Sequence, residues 1–565
     1  LSVPPLFLSQ QYRVDPDAAE AADARALDRI GLETALRNQV LPLLPAGIVT
    51  PVAAPSLAAF HRMEPHLRAL VGPVVCRLWP AERIEATILE LRRAYLARRA
   101  ELRTPPEESC RVWSPRRFAA GALAVTAALA AGILLRADAV VTLVALWTGL
   151  TLAALTGLRT VAAVASLRRA HRANRDWRST RARRTDRTRL PRISLLVPLY
   201  DERDIAGRLV ARLARLDYPR DRLEVCLVLE WGDLKTEAAL RCADLPGWMR
   251  IVQVPRGALR TKPRAMNYAL DFLSGDVIGV YDAEDRPAPD QLLDVADALV
   301  SAGPEVACVQ GVLDFYNARA NWLTRCFAID YAVWFRLVLP GLERLGVVVP
   351  LGGTTVFFRR AALEALGRWD AHNVTEDADL GLRLARRGYR CLFVHTVTEE
   401  EATSSVPAWV RQRSRWIKGY AMTWAVHMRD PLRLLGELGW WRFLGVQVLF
   451  LGTLSQFVLA PFLWSFWLIL FGLPHPATAH LPHAAVVALA VLFFVSEVAT
   501  MAAAALAVAA PNHRWLIKWV PLLHIYFPLA SVASWKGLGE LAVKPFFWDK
   551  TRHGMAAARR MRAPG

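Results

Sequence analysis

Val277-Ile278-Gly279-Val280-Tyr281-Asp282-Ala283-Glu284-Asp285 is a short apolar run that ends on an acidic string. Its length and β-branched content read as a buried strand. Four further runs share this texture: Ile193–Leu199, Glu224–Leu229, Ile251–Val254 and Val306–Val312. Helical stretches separate them, and in the first of these Ile205, Leu209, Leu213 and Leu216 share one face. Strand–helix alternation at this spacing predicts an open, mostly parallel sheet with covering helices. In such sheets ligands bind at the carboxyl ends of the strands, where Asp282, Glu284 and Asp285 stand. Clustered carboxylates at that place suit Mg²⁺ or Mn²⁺, hard cations that keep waters and bridge substrate phosphates. Taken alone, the same string reads equally as a solvated acidic turn, with Pro287 and Pro289 behind it.

Outward from this string, other residues carry chemistry. Val197-Pro198-Leu199-Tyr200-Asp201-Glu202 ends the first strand, and Lys262 stands in Thr261-Lys262-Pro263-Arg264-Ala265-Met266-Asn267. Gly352-Gly353-Thr354 and Arg359 follow the acids. Thr375-Glu376-Asp377 opens a helical stretch, so Thr375 would also serve as a plain N-cap with acids in the first turn. In Gln412-Arg413-Ser414-Arg415-Trp416, the residues Gln412, Arg415 and Trp416 fall at i, i+3 and i+4 on one helix face.

The flanks are membrane-like. Of the 565 residues, 54% are hydrophobic. Phe118–Leu135 and Ala139–Leu158 are apolar runs joined by Arg136-Ala137-Asp138. Each is long enough to cross a bilayer core of about 30 Å, and the short joint predicts a helical hairpin. The net charge of +19 could suggest nucleic acid, but its distribution argues against that partner. Between Arg168 and Arg192 stand eleven arginines and two acids, directly after the hairpin. That is the pattern of a cytoplasmic segment beside anionic lipid. Apolar runs return at Phe443–Leu473, Ala484–Ala509 and roughly Trp519–Ala533. Three full crossings would leave the basic tail outside, against the positive-inside rule. Either the last apolar segment is re-entrant or the run around Pro461 is more than one helix; a cytoplasmic C-terminus is the expectation. Seven cysteines without a CxxC pair read as buried thiols in a reducing compartment.

Residues 1–117 are soluble in character. Val40-Leu41-Pro42-Leu43 and Gly47-Ile48-Val49-Thr50-Pro51-Val52 read as strands, and Leu57–Leu70 and Glu82–Arg98 as helices. The pattern resembles the N-terminal domain of type II secretion and pilus assembly ATPases. Some of those domains bind cyclic di-GMP, which the resemblance makes a candidate ligand; a docking module without ligand is the alternative.

In their order and spacing, the central strings resemble the processive family 2 glycosyltransferases, membrane synthases of cellulose, hyaluronan, curdlan and mixed-linkage glucans. The match covers about Ile193 to Arg429. It implies an α/β GT-A domain inserted between α-helical transmembrane segments, with the small N-terminal α/β module in front. The implied division is 1–117 regulatory or docking module, 118–166 hairpin, 167–192 basic linker and 193–430 GT-A domain. Interfacial and channel helices would follow at 431–545, and a gating-loop-like segment at 546–565. A UDP-sugar donor, a divalent metal and a growing polysaccharide acceptor are implied, at the cytosolic face of a bacterial inner membrane. Tyr200, Glu202 and Glu230 would contact uridine, and Lys262 the nucleotide. Asp282 with Glu284 or Asp285 would hold the metal. Asp377 would be the base that takes the acceptor hydroxyl's proton. Gln412, Arg415 and Trp416 would serve the diphosphate and sugar, with Glu376, Gly353, Thr354 and Trp416 around the acceptor. Trp548, Lys550 and Thr551 resemble gating loops that close over the nucleotide, although aromatic-plus-basic strings also serve as interfacial anchors. Two departures stand out: Glu284 replaces the usual second Asp, and Glu230-Trp231-Gly232-Asp233 replaces Asp-Asp-Gly. The expected activity is inverting, processive synthesis of a β-linked glucan from UDP-glucose. An N-acetylglucosamine polymer, transfer of one sugar to a lipid carrier, and a non-catalytic nucleotide sensor are the rivals.

Overall fold

The computed structural model describes residues 21–181, 189–202 and 206–548. The lead-in 1–20, the side chains of 169–188 within the arginine run, and Lys550 and Thr551 lie outside the described residues. Residues 24–102 form a small α/β module. Its helices are Ala24–Ile30, Leu32–Asn38, Leu57–Val71 and Ala81–Leu102, and its strands are β1 (Leu41–Pro42), β2 (Thr50–Ala54) and β3 (Val74–Leu78). β2 pairs antiparallel with β1 and parallel with β3. β3 is additional to the sequence expectation; only five residues long, it lacks a distinctive alternation.

The main sheet has eight strands: β4 (Ile193–Leu199), β5 (Leu223–Glu230), β6 (Met249–Val254), β7 (Val277–Val280), β8 (Arg286–Pro287), β9 (Val306–Phe315), β10 (Val356–Arg359) and β11 (Arg390–Glu400). Their order is β6-β5-β4-β7-β10-β9-β11-β8. β4 is buried at every position but Pro198, which fits a central strand covered on both faces. The expected parallel arrangement holds for β6-β5-β4-β7 and for β9 with β11. β10 and β8 make the sheet mixed. β10 runs antiparallel to β7 and β9 because it starts at the site end, with Val356 opposite Val280. The Gly352-Gly353-Thr354 turn feeds it there. The core closes on this sheet, and Phe357 and Phe358 are buried in it on opposite faces.

Among the described residues, three stretches are long and apolar enough to cross a membrane: Pro115–Arg168, Pro431–Val458 and His483–Ala507. The first breaks at Arg136 (φ −151°, ψ 65°). A Cβ on Gly132 would lie 2.8 Å from Val140 Cγ2, whereas residues eight apart on a straight helix are about 12 Å apart. The chain therefore doubles back at the Arg136 joint. A bent pair, Arg514–Tyr526 and Pro528–Val543 at 45°, adds a fourth such stretch if it counts as one. Its second helix lies on the Val406–His427 helix, where Lys418 Nζ donates to Glu540 Oε2 at 2.9 Å. All seven cysteines are free.

Candidate active site

The strand ends and two helices converge on one cavity of ≈ 540 Å³. At its floor Lys262, the first residue of the Lys262–Ala269 helix, donates to the Asp282 carboxylate and, at 2.8 Å, to the Gly353 carbonyl. Burial opposes the Lys262 charge, yet Asp282, Glu376 and Asp377 hold its pKa above the ordinary lysine value. Asp282 and Glu284 both line the cavity. Asp285 is fully buried behind them; its Oδ2 accepts the Asp282 N–H at 2.8 Å and the Thr354 hydroxyl. Asp285 thus builds the turn that presents the other two.

Glu376 and Asp377 start the Glu376–Arg386 helix. Asp377 Oδ1 accepts its neighbour Ala378's N–H at 2.8 Å, and its Oδ2 stands 3.0 Å from where a Cβ on Gly353 would be. Glycine at 353 is what lets the turn pass under this carboxylate. Burial raises the Asp377 pKa. Glu376 is pushed up to about 7, by burial first and then by Asp377. Deeper in the same helix, Asp379 binds Arg383 Nε at 2.8 Å and His427 Nε2 at 2.9 Å, locking it to the Val406–His427 helix. Gly419 of that helix touches Thr375 so closely that a Cβ there would overlap the threonine hydroxyl.

Gln412, Arg415 and Trp416 project from the Val406–His427 helix into the cavity. Arg415 donates to the Val374 carbonyl at 3.1 Å and lies 4.5 Å over the Trp548 ring. Trp548 therefore roofs the arginine, and Lys418 secures that roof by donating to the Phe547 carbonyl at 3.0 Å. Gln412 accepts from the Thr403 hydroxyl at 3.4 Å. Trp416 packs near Phe327 and Tyr331, with the Arg413 guanidinium 4.6 Å over its ring.

Tyr200, Glu202 and Glu230 form the far wall. Arg260 donates to the Tyr200 hydroxyl at 2.8 Å and lies over its ring. The Glu202 N–H donates to Thr236 Oγ1 at 2.8 Å. Glu230 is pushed up to about 7 by burial, against the pull of Arg264 and Arg260. Its Oε1 has no hydrogen-bond partner among the described residues.

Every expected site residue within the described set except Asp285 lines this cavity. Sequence reading missed Arg260, Glu400 and Arg413, which line it too. For Glu400 a signal existed in Glu399-Glu400-Glu401: strand alternation turns the middle acid away from its exposed neighbour. β11 also places Glu399 opposite Arg286, so Glu400 meets the end of the acidic string. Burial, then Asp285, Glu284 and Asp282, raise its pKa well above the usual range. On the membrane side the cavity continues past Trp416 to Arg159, Leu463, Phe493, Glu497 and Tyr526.

Parts of the chain are similar to known glycosyltransferases. Residues 277–507 match the family described as Glycosyl transferase family group 2. The β-monoglucosyldiacylglycerol synthase of Trichormus variabilis is 30% identical over 235 residues, 41% of this chain and 49% of that one. The probable glucomannan 4-β-mannosyltransferase 1 of Arabidopsis thaliana is 28% identical over 243 residues, 41% of this chain and 43% of that one. This chain spans about half the length of the curated relatives it matches. Among solved structures, the mannosyltransferase PcManGT of Pyrobaculum calidifontis, in complex with GDP-Man and Mn²⁺, is 20% identical. That alignment covers 68% of this chain and 99% of that one, with a TM-score of 0.40. Residues 277–507 are thus similar to a family 2 glycosyltransferase domain.

Proposed function

We propose that this protein is a GT-A-type, inverting, processive glycosyltransferase. In this reading it polymerises a β-linked glucan from UDP-glucose at the cytosolic face of a bacterial inner membrane and passes the product out between its own helices. The observation that carries the reading is one continuous cavity. It holds Lys262, Asp282, Asp377, Arg415 and Trp416 at one end and reaches residues of apolar, membrane-length helices at the other.

The acceptor hydroxyl oxygen bonds to the anomeric carbon as the carbon–oxygen bond to the diphosphate breaks. Its proton goes to Asp377, whose burial-raised pKa strengthens it as a base. Lys262 and Arg415 offset the charge that develops on the departing diphosphate. Trp416 gives the acceptor ring an apolar face. A single displacement inverts the anomeric centre and needs no covalent enzyme intermediate.

Among the described residues no three His, Cys, Asp or Glu converge closely enough to hold a cation by themselves. A hard cation held by one or two carboxylates and the substrate's own phosphates needs no such trio. Asp282 and Glu284 fit that requirement and would hold Mg²⁺ or Mn²⁺. When bound, the ion supplies charge neutralisation at the diphosphate.

A second reading, transfer of one glucose to a lipid, is favoured by the likeness to β-monoglucosyldiacylglycerol synthases. The test gives purified full-length protein radiolabelled UDP-glucose or UDP-N-acetylglucosamine, with and without cyclic di-GMP, and digests the product with linkage-specific glucanases. Glucose incorporated into glucanase-sensitive material is expected. No incorporation from either donor and no UDP release would overturn the proposal.

A further inference from the structure

We infer that Glu101, contributed by the last helix of the N-terminal module, is a positioning residue for the donor site. It holds the loop 255–261 and thereby Arg260 and Lys262. The inference rests on reading the cavity as a nucleotide-sugar site.

The loop joins β6 to the Lys262–Ala269 helix and forms no regular structure of its own. Its backbone N–H groups need partners, and two of them find one in a different module. The Ala258 N–H donates to Glu101 Oε1 at 2.9 Å and the Leu259 N–H at 3.4 Å. Arg264 Nε donates to the same oxygen at 3.0 Å. Three donors thus converge on one carboxylate oxygen from the end of the Ala81–Leu102 helix.

Arg264 is fully buried and extends the anchor. It donates to the Pro255 carbonyl at 2.6 Å, which ties the start of the loop to the helix that follows it. Its other terminal nitrogen lies 3.7 Å from Glu230. One turn on, Asn267 Nδ2 donates to the Ala100 carbonyl at 3.0 Å. The Ala81–Leu102 helix is fixed at its other end by the Glu85–Arg250 ion pair at 2.9 Å. Downstream, the anchored segment delivers Arg260 to Tyr200 and Lys262 to Asp282 and Gly353. Glu101 does not line the cavity. It acts through the loop: a shift of the module's last helix moves two cations of the donor site.

The experiment uses full-length protein in nanodiscs, with UDP and GDP as probes. UDP affinity, donor and acceptor KM, and amide exchange at residues 258 and 259 are measured. The variants are Glu101→Ala, Glu101→Gln and the control Glu33→Gln. Glu33 pairs with Arg99, Arg103 and Arg368 in the same interface but does not reach the loop. Hydrogen bonds to a charged acceptor of this kind imply UDP binding about tenfold weaker in Glu101→Ala and a smaller loss in the isosteric Glu101→Gln. Donor KM rises with acceptor KM unchanged, the two amides exchange faster, and Glu33→Gln matches wild type. If wild type binds neither nucleotide, the donor-site reading fails and takes the inference with it. If wild type binds UDP and Glu101→Gln binds it equally well with unchanged amide exchange, the inference alone is overturned. Equal weakening by Glu33→Gln also overturns it, since it would mark a general loosening of the interface.

Discussion

The two ends of the cavity are built by opposite rules. At the strand-end side, three charged groups are fixed by other elements: Lys262 by Asp282 and Gly353, the Asp282 turn by Asp285 and Thr354, Arg415 by Val374 and Trp548. At the membrane-facing end, aromatic and aliphatic side chains dominate, with Trp416 beside Phe327 and Tyr331, and Leu463 and Phe493 beyond. A pre-set array of charges suits a group whose charge changes during reaction. A corridor lined mainly by apolar side chains, with Arg159 and Glu497 among them, would suit a neutral chain that must bind weakly enough to move. In the proposed function, the chemistry belongs to one end and the handling of product to the other.

The largest effect is expected from Asp377→Asn. It removes the base while keeping the shape, so turnover falls by about 10³-fold or more. UDP binding measured by calorimetry stays near wild type. Unchanged turnover would take the base away from Asp377.

Gly419→Ala comes next, because its methyl overlaps the Thr375 hydroxyl where the two helices of the site meet. Overpacking of this kind costs about 1–3 kcal/mol, and the misplacement of Asp377 lowers kcat about 10²-fold. Thermal unfolding and steady-state kinetics read the two effects separately.

Trp416→Ala tests the other end. UDP release persists within about tenfold of wild type, since an aromatic contact is worth about 0.5–1.5 kcal/mol. The mean product length drops sharply on a sizing gel. Equal loss of UDP release and of product length would erase the division between the two ends.

The smallest effect concerns pH. Glu230 has a folded-state pKa of about 7, above its ordinary value of 4.5. The folded state therefore holds the proton more tightly, and stability falls as pH rises from about 4.5 through 7. Glu230→Gln removes this cost, so it melts higher than wild type at pH 8, by the equivalent of about 1–3 kcal/mol. The difference closes toward pH 4.5, as melting curves at both pH values will show.

The sequence was informative where one physical signal ruled. β4, β5, β7 and β9 are largely apolar runs because each is covered on both faces, whereas β6 lies at the sheet edge with Gln253 exposed and was found from its apolar core Ile251–Val254. β10 is four residues long and β11 mixes charged and polar residues along an edge-proximal path, so neither stood out. Lys262, Asp282, Glu284, Asp377, Arg415 and Trp416 were readable as a set from their order, and all line one cavity. Whether Glu284 or Asp285 faces that cavity was not readable, since it depends on a hydrogen bond to Thr354, far away in the chain. Arg260 and Glu101 were invisible for the same reason: their roles exist only through contacts with residues far away in the chain.

The most direct test of the account is the length of the product made at early times. Wild-type protein receives excess radiolabelled UDP-glucose, and the product is sized while most acceptor is still unused. Long glucanase-sensitive chains are expected from the first time points. A product that stays at one sugar on a lipid, or that lengthens evenly over all acceptors, would contradict it.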